Sequence, residues 1–138
     1  MGSQIIEPEP QLRLSILPAP GEVVSGAEFQ TELTVFAREL KTNGIDARAT
    51  WYTHDAVGGG GWSTGEFTLL SILGPVAIVQ LRKLIVEVLK MREGRKLKIK
   101  GRTTTIEGHA DDIQRIVTPE QIAKLLDEVK KPRSKPNS

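Results

Sequence analysis

The segment Gly61–Gly65 reads Gly-Trp-Ser-Thr-Gly, which matches the G-x-S-x-G pattern of the nucleophile elbow in serine hydrolases. In that elbow a strand leads directly into the serine, a helix leaves it, and the acid precedes the histidine along the chain. Here the preceding strand is predicted to end near Tyr52, which is too early, and His109 precedes its nearest acid, Asp111. We therefore predict that Ser63 caps a helix, and a small serine hydrolase is kept as an alternative.

Neither a phosphate site nor a metal site is predicted from the other candidates. The glycine run 58–61 would need a following lysine to form a P-loop, and this loop contains none. The two histidines, His54 and His109, are far apart in the chain, and there is no cysteine. Because no set of ligands has a metal-binding spacing, we expect no metal and no cofactor. Since the elbow pattern is interpreted as a helix cap, we also expect no enzymatic activity.

The densest charge lies between residues 82 and 102, where nine lysines and arginines accompany only two glutamates. Residues 95–102 alternate basic and apolar side chains up to a Gly-Arg turn, which predicts a hairpin with Lys100 opposite Thr103. Its outward face would carry four cations able to contact phosphates: Lys96, Lys98, Lys100 and Arg102. A nucleic-acid-binding module is therefore the alternative function, although the hairpin lacks aromatic side chains for stacking on bases.

Hydrophobic periodicity places these candidates on a small α+β domain. Apolar residues alternate along 12–16 and 45–51, as in strands, and repeat at helical spacing along 29–40. A right-handed crossover would make the first two strands parallel. Helix starts are predicted at three capping sequences: 25–28, 63–66 and 118–121. The predicted order is β-α-β-α-β-β-α, a small mixed sheet with helices mainly on one face and a long apolar central helix.

Composition predicts one domain between two tails. Residues 11–129 carry the periodic pattern, whereas residues 1–10 and the basic residues 130–138 are rich in proline and polar side chains. Such tails are predicted to be disordered. The first residues have neither the basic nor the apolar region of a signal peptide, and cysteine is absent, so we expect a cytoplasmic location.

The predicted central helix, residues 66–93, is unusually apolar, and Gly74-Pro75 predicts a kink or a fresh start within it. Its 67–81 segment contains no charged residue, yet it is shorter than the roughly 20 residues that span a bilayer, so the membrane alternative is peripheral contact. A helix that is apolar on most sides needs cover on most sides, and one small sheet covers only one. We therefore predict that the helix contacts a protein partner or a second copy of this chain. Four residues of the helix and of the loop before it would form the contact: Trp62, Ile78, Leu81 and Ile85.

A family resemblance adds a function to this pattern. The apolar helix has a basic end, and it is followed by the basic strand 95–100, a tight turn, the polar strand 103–108 and a final helix. In element order and composition, Arg48–Val129 resembles the bacterial effector-associated constant component family, small accessory proteins encoded beside variable effectors in multi-gene conflict (defence) systems. The resemblance implies a non-enzymatic adaptor that acts through protein–protein contacts with a partner encoded nearby. It supplies no active-site residues.

Overall fold

The computed structural model describes residues 11–53, 61–72 and 74–130, so the predicted tails, apart from Lys130, and loop residues 54–60 lie outside the described residues. The elements in chain order are β1 (Leu12–Leu17), α1 (Ala27–Thr42), β2 (Ile45–Thr53), β3 (Gly61–Ile72), α2 (Gly74–Lys90), β4 (Lys96–Lys100), β5 (Thr105–His109), α3 (Ala110–Ile116) and α4 (Pro119–Lys130). The sheet order is β2-β3-β1-β4-β5, and all neighbouring strands are antiparallel. The α+β class is confirmed, but the sheet is antiparallel rather than mixed.

Strand insertion explains why no neighbouring strands are parallel. The units β1-α1-β2 and β3-α2-β4 are both crossovers that leave room for one strand. β3 fills the space between β1 and β2, and β1 fills the space between β3 and β4. The strands of each crossover run parallel, as predicted for β1 and β2, but an antiparallel strand separates them. This is the split βαβ, or ferredoxin-like, arrangement, which β5 extends beyond β4.

The residues before α2 form a strand where the capping pattern predicts a helix. Inward side chains of β3 are buried from Ser63 to Leu69, and β1 and β2 pair with this strand on both sides, so β3 is an internal strand of the sheet. Periodicity does not distinguish a short apolar strand from a buried helix, and the predicted helix start here is wrong. α2 begins one residue before Pro75, whose fixed φ suits a first turn, so the central helix is shorter than 66–93.

The helices pack on one face of the sheet and form the core with it. Phe36 of α1 and Phe67 of β3 meet edge to face, with ring centroids 5.3 Å apart. α2 contacts α1, α3 and α4 and buries seven side chains: Ala77, Leu81, Leu84, Ile85, Val86, Val88 and Leu89. Other helices therefore cover most of its apolar surface. The outward side chains of β4 and β5 are exposed, so the opposite face of the sheet is open.

The helix ends agree with the sequence only in part. α1 begins after Gly26 with no side-chain cap, so the predicted capping box at 25–28 is wrong. The same helix ends at Asn43–Gly44 as predicted, with Gly44 at a φ of 78°. α4 begins at Pro119, as predicted. α3, a helix of seven residues, is an element that the sequence does not predict.

The hairpin of β4 and β5 is present, but its predicted register is shifted by two residues. The structure places Lys100 opposite Thr105, because four residues rather than two connect the strands. The carboxylate of Glu128 on α4 accepts a hydrogen bond from the backbone N–H of Thr103 at 2.9 Å and holds this longer loop. Side chains of a strand alternate between faces with a period of two, so a shift of two leaves the lysines on the outward face.

Gly65 marks the irregularity in the pairing of β2 with β3. The register shifts between Ala49 and Trp51, where β3 holds more residues than β2. Gly65 lies in this bulge at a φ of 90°, and a Cβ atom there would stand 2.5 Å from the carbonyl oxygen of Ile16 on β1. Only glycine combines this φ with so close an approach of two backbones.

We expect Gly65→Ala to lower the free energy of unfolding by about 3 kcal/mol, since it adds a steric clash to the left-handed backbone strain. Gly21→Ala is the matched control: Gly21 has a φ of 83°, but nothing lies within 4 Å of its added Cβ, so it should cost only about 1 kcal/mol. Urea denaturation of both variants measures the difference. Equal losses would show that the approach of Ile16 does not constrain position 65.

Candidate functional site

Ser63 connects β3 to α1 through hydrogen bonds with Gln30. Its side chain faces the core with 4% exposed, and its hydroxyl accepts a hydrogen bond from the backbone N–H of Gly65 at 3.2 Å. Its own backbone N–H donates to the side-chain oxygen of Gln30 at 2.8 Å. His109 lies at the other end of the sheet order, on the outward face of β5. The structure therefore forms neither the Ser–His pair nor the predicted helix cap.

The predicted contact residues of α2 divide between core and surface. Leu81 and Ile85 are 1% and 0% exposed, so their prediction as partner contacts is wrong: they face the helices and sheet of their own chain. Ile78 is partly buried against the same core. The exposed apolar residues of this helix are Val76 and Val79, which only the packing of α2 reveals. Among the described residues, no helix is long and apolar enough to cross a membrane.

Trp62 lies in strand β3 rather than on the predicted loop. It pairs with Tyr52 of β2 in the sheet, and the two rings pack with centroids 5.6 Å apart. Tyr52 is exposed, whereas Trp62 is half-buried. The sequence places both residues near a turn, but only the pairing of β2 with β3 shows that they share the outward face of the sheet.

The lysines predicted for the hairpin surface lie on the open face of the sheet. Lys96, Lys98 and Lys100 are all exposed on β4, and the strand order adds Arg13 of β1, directly opposite Lys100. Arg48 of β2 lies on the same face, and β3 separates its strand from β1 in the sheet. None of these five cations forms an ion pair with another described residue. The sequence does not predict the two arginines, because their strands are distant from β4 along the chain.

Arg95 belongs to the predicted basic hairpin but is buried, with 1% exposed. Its Nε donates to a carboxylate oxygen of Glu22 at 3.0 Å, and its Nη1 donates to the carbonyl of Val88 at 2.9 Å. Its Nη2 binds Glu22 and Glu32, and the guanidinium carbon lies 5.0 Å from the ring centre of Phe29. Arg95 therefore joins elements of the fold and is not available to a ligand.

The hydrogen bonds from Arg95 lower the pKa of Glu22, an effect larger than the opposing effect of burial. The folded structure stabilises the ionised form of this carboxylate over the protonated form, so the free energy of unfolding depends on pH.

Arg102, the remaining predicted cation, is half-buried in the loop between β4 and β5. Two of the basic residues in the hairpin region are therefore partly or wholly withdrawn from the surface.

A groove of about 550 Å³ lies between the end of α2 and the start of α3. Asp112 accepts a hydrogen bond from the backbone N–H of His109 at 3.1 Å and another from Arg115 at 3.0 Å. The first of these bonds is the main cause of the lowered pKa of Asp112. The Nδ1 atom of His109 lies 3.2 Å from the carbonyl oxygen of Arg95. These polar groups are engaged in holding α3 and β5 together.

Comparison with known protein families finds no match, and comparisons with characterised proteins and with solved structures find none either. The resemblance to the effector-associated constant component family therefore stays a prediction based on element order and composition. Among the described residues, two surfaces are candidate binding surfaces. One is the exposed flank of α2, defined by Val76 and Val79, and the other is the open basic face of the sheet.

We expect Glu22→Gln to lower the free energy of unfolding by about 2–3 kcal/mol at neutral pH, because it leaves buried Arg95 with one carboxylate partner. The lowered pKa of Glu22 also means that the ionic contribution is full above the ordinary glutamate pKa of about 4.3 and is lost as pH falls through the lowered value. The variant should therefore lose less stability than the natural chain between about pH 5 and pH 3.

Urea denaturation across this pH range measures both effects. Glu39→Gln is the control, since Glu39 is an exposed carboxylate of α1 that forms no ion pair with a described residue. It should change the stability at neutral pH by less than about 0.5 kcal/mol. Parallel acid unfolding curves for the natural chain and Glu22→Gln would contradict the assignment.

We expect Arg13→Glu to raise the free energy of unfolding by about 0.2–1 kcal/mol, because an opposite-charge pair with Lys100 replaces a like-charge pair across β1 and β4. High salt should remove the gain. Arg48→Glu is the control, since its cross-strand neighbour is Thr68. Urea denaturation at low and high salt measures the effect, and an equal gain in both variants would exclude a specific repulsion between Arg13 and Lys100.

Proposed function

We propose that this chain is a non-enzymatic, cytoplasmic adaptor of a bacterial conflict system, and that it binds a protein partner through the α2 flank. The observation that carries the proposal is the exposure of Val76 and Val79, 73% and 49%. Residues three apart are neighbours on a helix surface, so the two valines form one apolar patch. Water solvates such a patch poorly, and contact with another protein surface removes it from water.

The position of α2 explains why this patch is available. The helix lies among α1, α3 and α4, which cover its other sides, and the α2 flank is what they leave uncovered. Burial of Val76 and Val79 in a complex would contribute about 1–2 kcal/mol each, part of the value for a fully exposed valine. A stable contact of about 800 Å² per partner would also include the adjacent polar residues Gln80 and Lys83 as a rim.

The family resemblance indicates which kind of partner to test. The run of apolar helix, basic strand, polar strand and final helix is present as α2, β4, β5 and α4, with the additional helix α3 before the last. Accessory proteins of multi-gene systems act beside the products of neighbouring genes. We therefore propose a protein encoded next to this chain as the partner. Self-association through the same patch is the alternative, and light scattering on a sizing column would reveal it.

The geometry favours a protein partner over nucleic acid. Tyr52 and Trp62 are aromatic residues on the open face, but their rings pack on each other. Glu66 lies on the same face and accepts a hydrogen bond from Thr50 at 3.2 Å. Lys98 lies opposite Glu107 on β5. Single-strand binding combines a continuous cationic path with aromatic rings free to stack on bases, and here acidic residues interrupt the face.

The proposal is tested by co-expressing the chain with each neighbouring gene product and measuring the affinity of any complex by calorimetry. We expect Val76→Asp with Val79→Asp to weaken the complex at least about tenfold, since two carboxylates would be desolvated in the contact. Folding should be unaffected, because both positions are exposed and Val76 lies in the first turn of α2, where an acid is tolerated.

Val23→Asp with Val35→Asp is the matched control, since these exposed valines lie outside α2. The control should bind within about twofold of the natural chain. Light scattering on a sizing column at low and high salt separates self-association from partner binding. A complex that tolerates the α2 substitutions, or a chain that binds none of the neighbouring products and is a monomer, would overturn the proposal.

A further inference from the structure

One row of outward side chains crosses the whole open face of the sheet. Each of the five strands contributes one residue to it, and the pairing registers place them side by side. In sheet order the members of this cationic row are Arg48, Thr68, Arg13, Lys100 and Thr105. Four strand spacings of about 4.8 Å make the row about 19 Å long.

The cationic row holds three positive charges and no acid. Arg13 and Lys100 stand directly opposite each other, an arrangement that destabilises a sheet. None of the three cations of the row forms an ion pair with a described residue.

The next row along the strands contains acidic as well as basic side chains. There Glu66 of β3, Ser15 of β1, Lys98 of β4 and Glu107 of β5 follow one another. This row holds two acids and one lysine, so it has no excess of positive charge. Of these two rows, only the cationic row has an excess of positive charge.

We propose that the cationic row is a docking site for an extended, acidic segment of a protein partner. Arginine guanidinium groups bind carboxylates through two parallel hydrogen bonds, and the hydroxyls of Thr68 and Thr105 supply further donors. An extended segment of about six residues covers the row at about 3.3 Å per residue. The bound carboxylates would remove the repulsion between Arg13 and Lys100.

Two observations favour an acidic peptide over a nucleic acid as the occupant. The row contains only cations and hydroxyls, which suit carboxylates but offer no surface for stacking bases. The aromatic pair of Tyr52 and Trp62 lies beyond the row that contains Glu66, so a strand reaching from the cationic row to these rings would pass an acid.

The row and the α2 flank lie on opposite faces of the sheet, so one molecule can hold two segments at once. This inference rests on the proposed function only in taking the ligand to be a protein. Different variants test the two surfaces, so that either proposal can fail alone.

The test measures fluorescence anisotropy of a labelled, glutamate-rich peptide of about 10 residues, long enough to span the row. A labelled oligothymidylate of equal charge is measured beside it, at low and high salt. The row variant is Arg13→Gln with Lys100→Gln. The matched control is Arg38→Gln with Lys124→Gln, which removes the same charge from exposed positions of α1 and α4.

We expect the peptide to bind the natural chain and the control variant within about twofold, and the row variant at least about tenfold more weakly. The melting temperature of the row variant should not fall, because the change relieves repulsion, and this separates lost binding from lost folding. No peptide binding, or equal losses in the row and control variants, would overturn the proposal. Tighter binding of the oligothymidylate than of the peptide would assign the row to nucleic acid instead.

Discussion

The buried guanidinium of Arg95 is the interaction on which the packing of the helices against the sheet depends. It stands just before β4 and reaches Glu22 ahead of α1, Glu32 within α1 and the carbonyl of Val88 near the end of α2. Phe29 of α1 lies against its face. A buried charge is tolerated only when it is paired and hydrogen-bonded. Burial of Arg95 therefore requires α1, the end of α2 and the start of β4 to come together.

This requirement has a consequence for the surfaces of the molecule. Since the Arg95 cluster and the apolar stripes of α1, α2 and α4 all gather on one side of the sheet, the other side is left open to solvent. The molecule thus has a helix layer with a small apolar flank on α2 and an opposite face rich in cations. These two surfaces differ in chemistry, one being apolar and the other cationic.

The hairpin of β4 and β5 and the segment before α2 show which sequence patterns are reliable. The alternation of Lys96, Leu97 and Lys98 has the period of a strand, and it predicts the correct faces even though the loop adds two residues to the register. The apolar run after Phe67 has no such clear period. Its strand conformation depends on pairing with β1 and β2 on both sides, and no local capping pattern reports a contact with a strand so distant in the chain.

By itself, the sequence determined the α+β class, the strands β1, β2 and β4, the end of α1 and the start of α4, since these follow from side-chain periodicity and local turn chemistry. Only the tertiary structure decided that Arg95 is buried, that Leu81 and Ile85 belong to the core, and that Arg13 lies opposite Lys100. The physical reason is that burial and strand order depend on contacts between residues far apart along the chain, which no local pattern encodes.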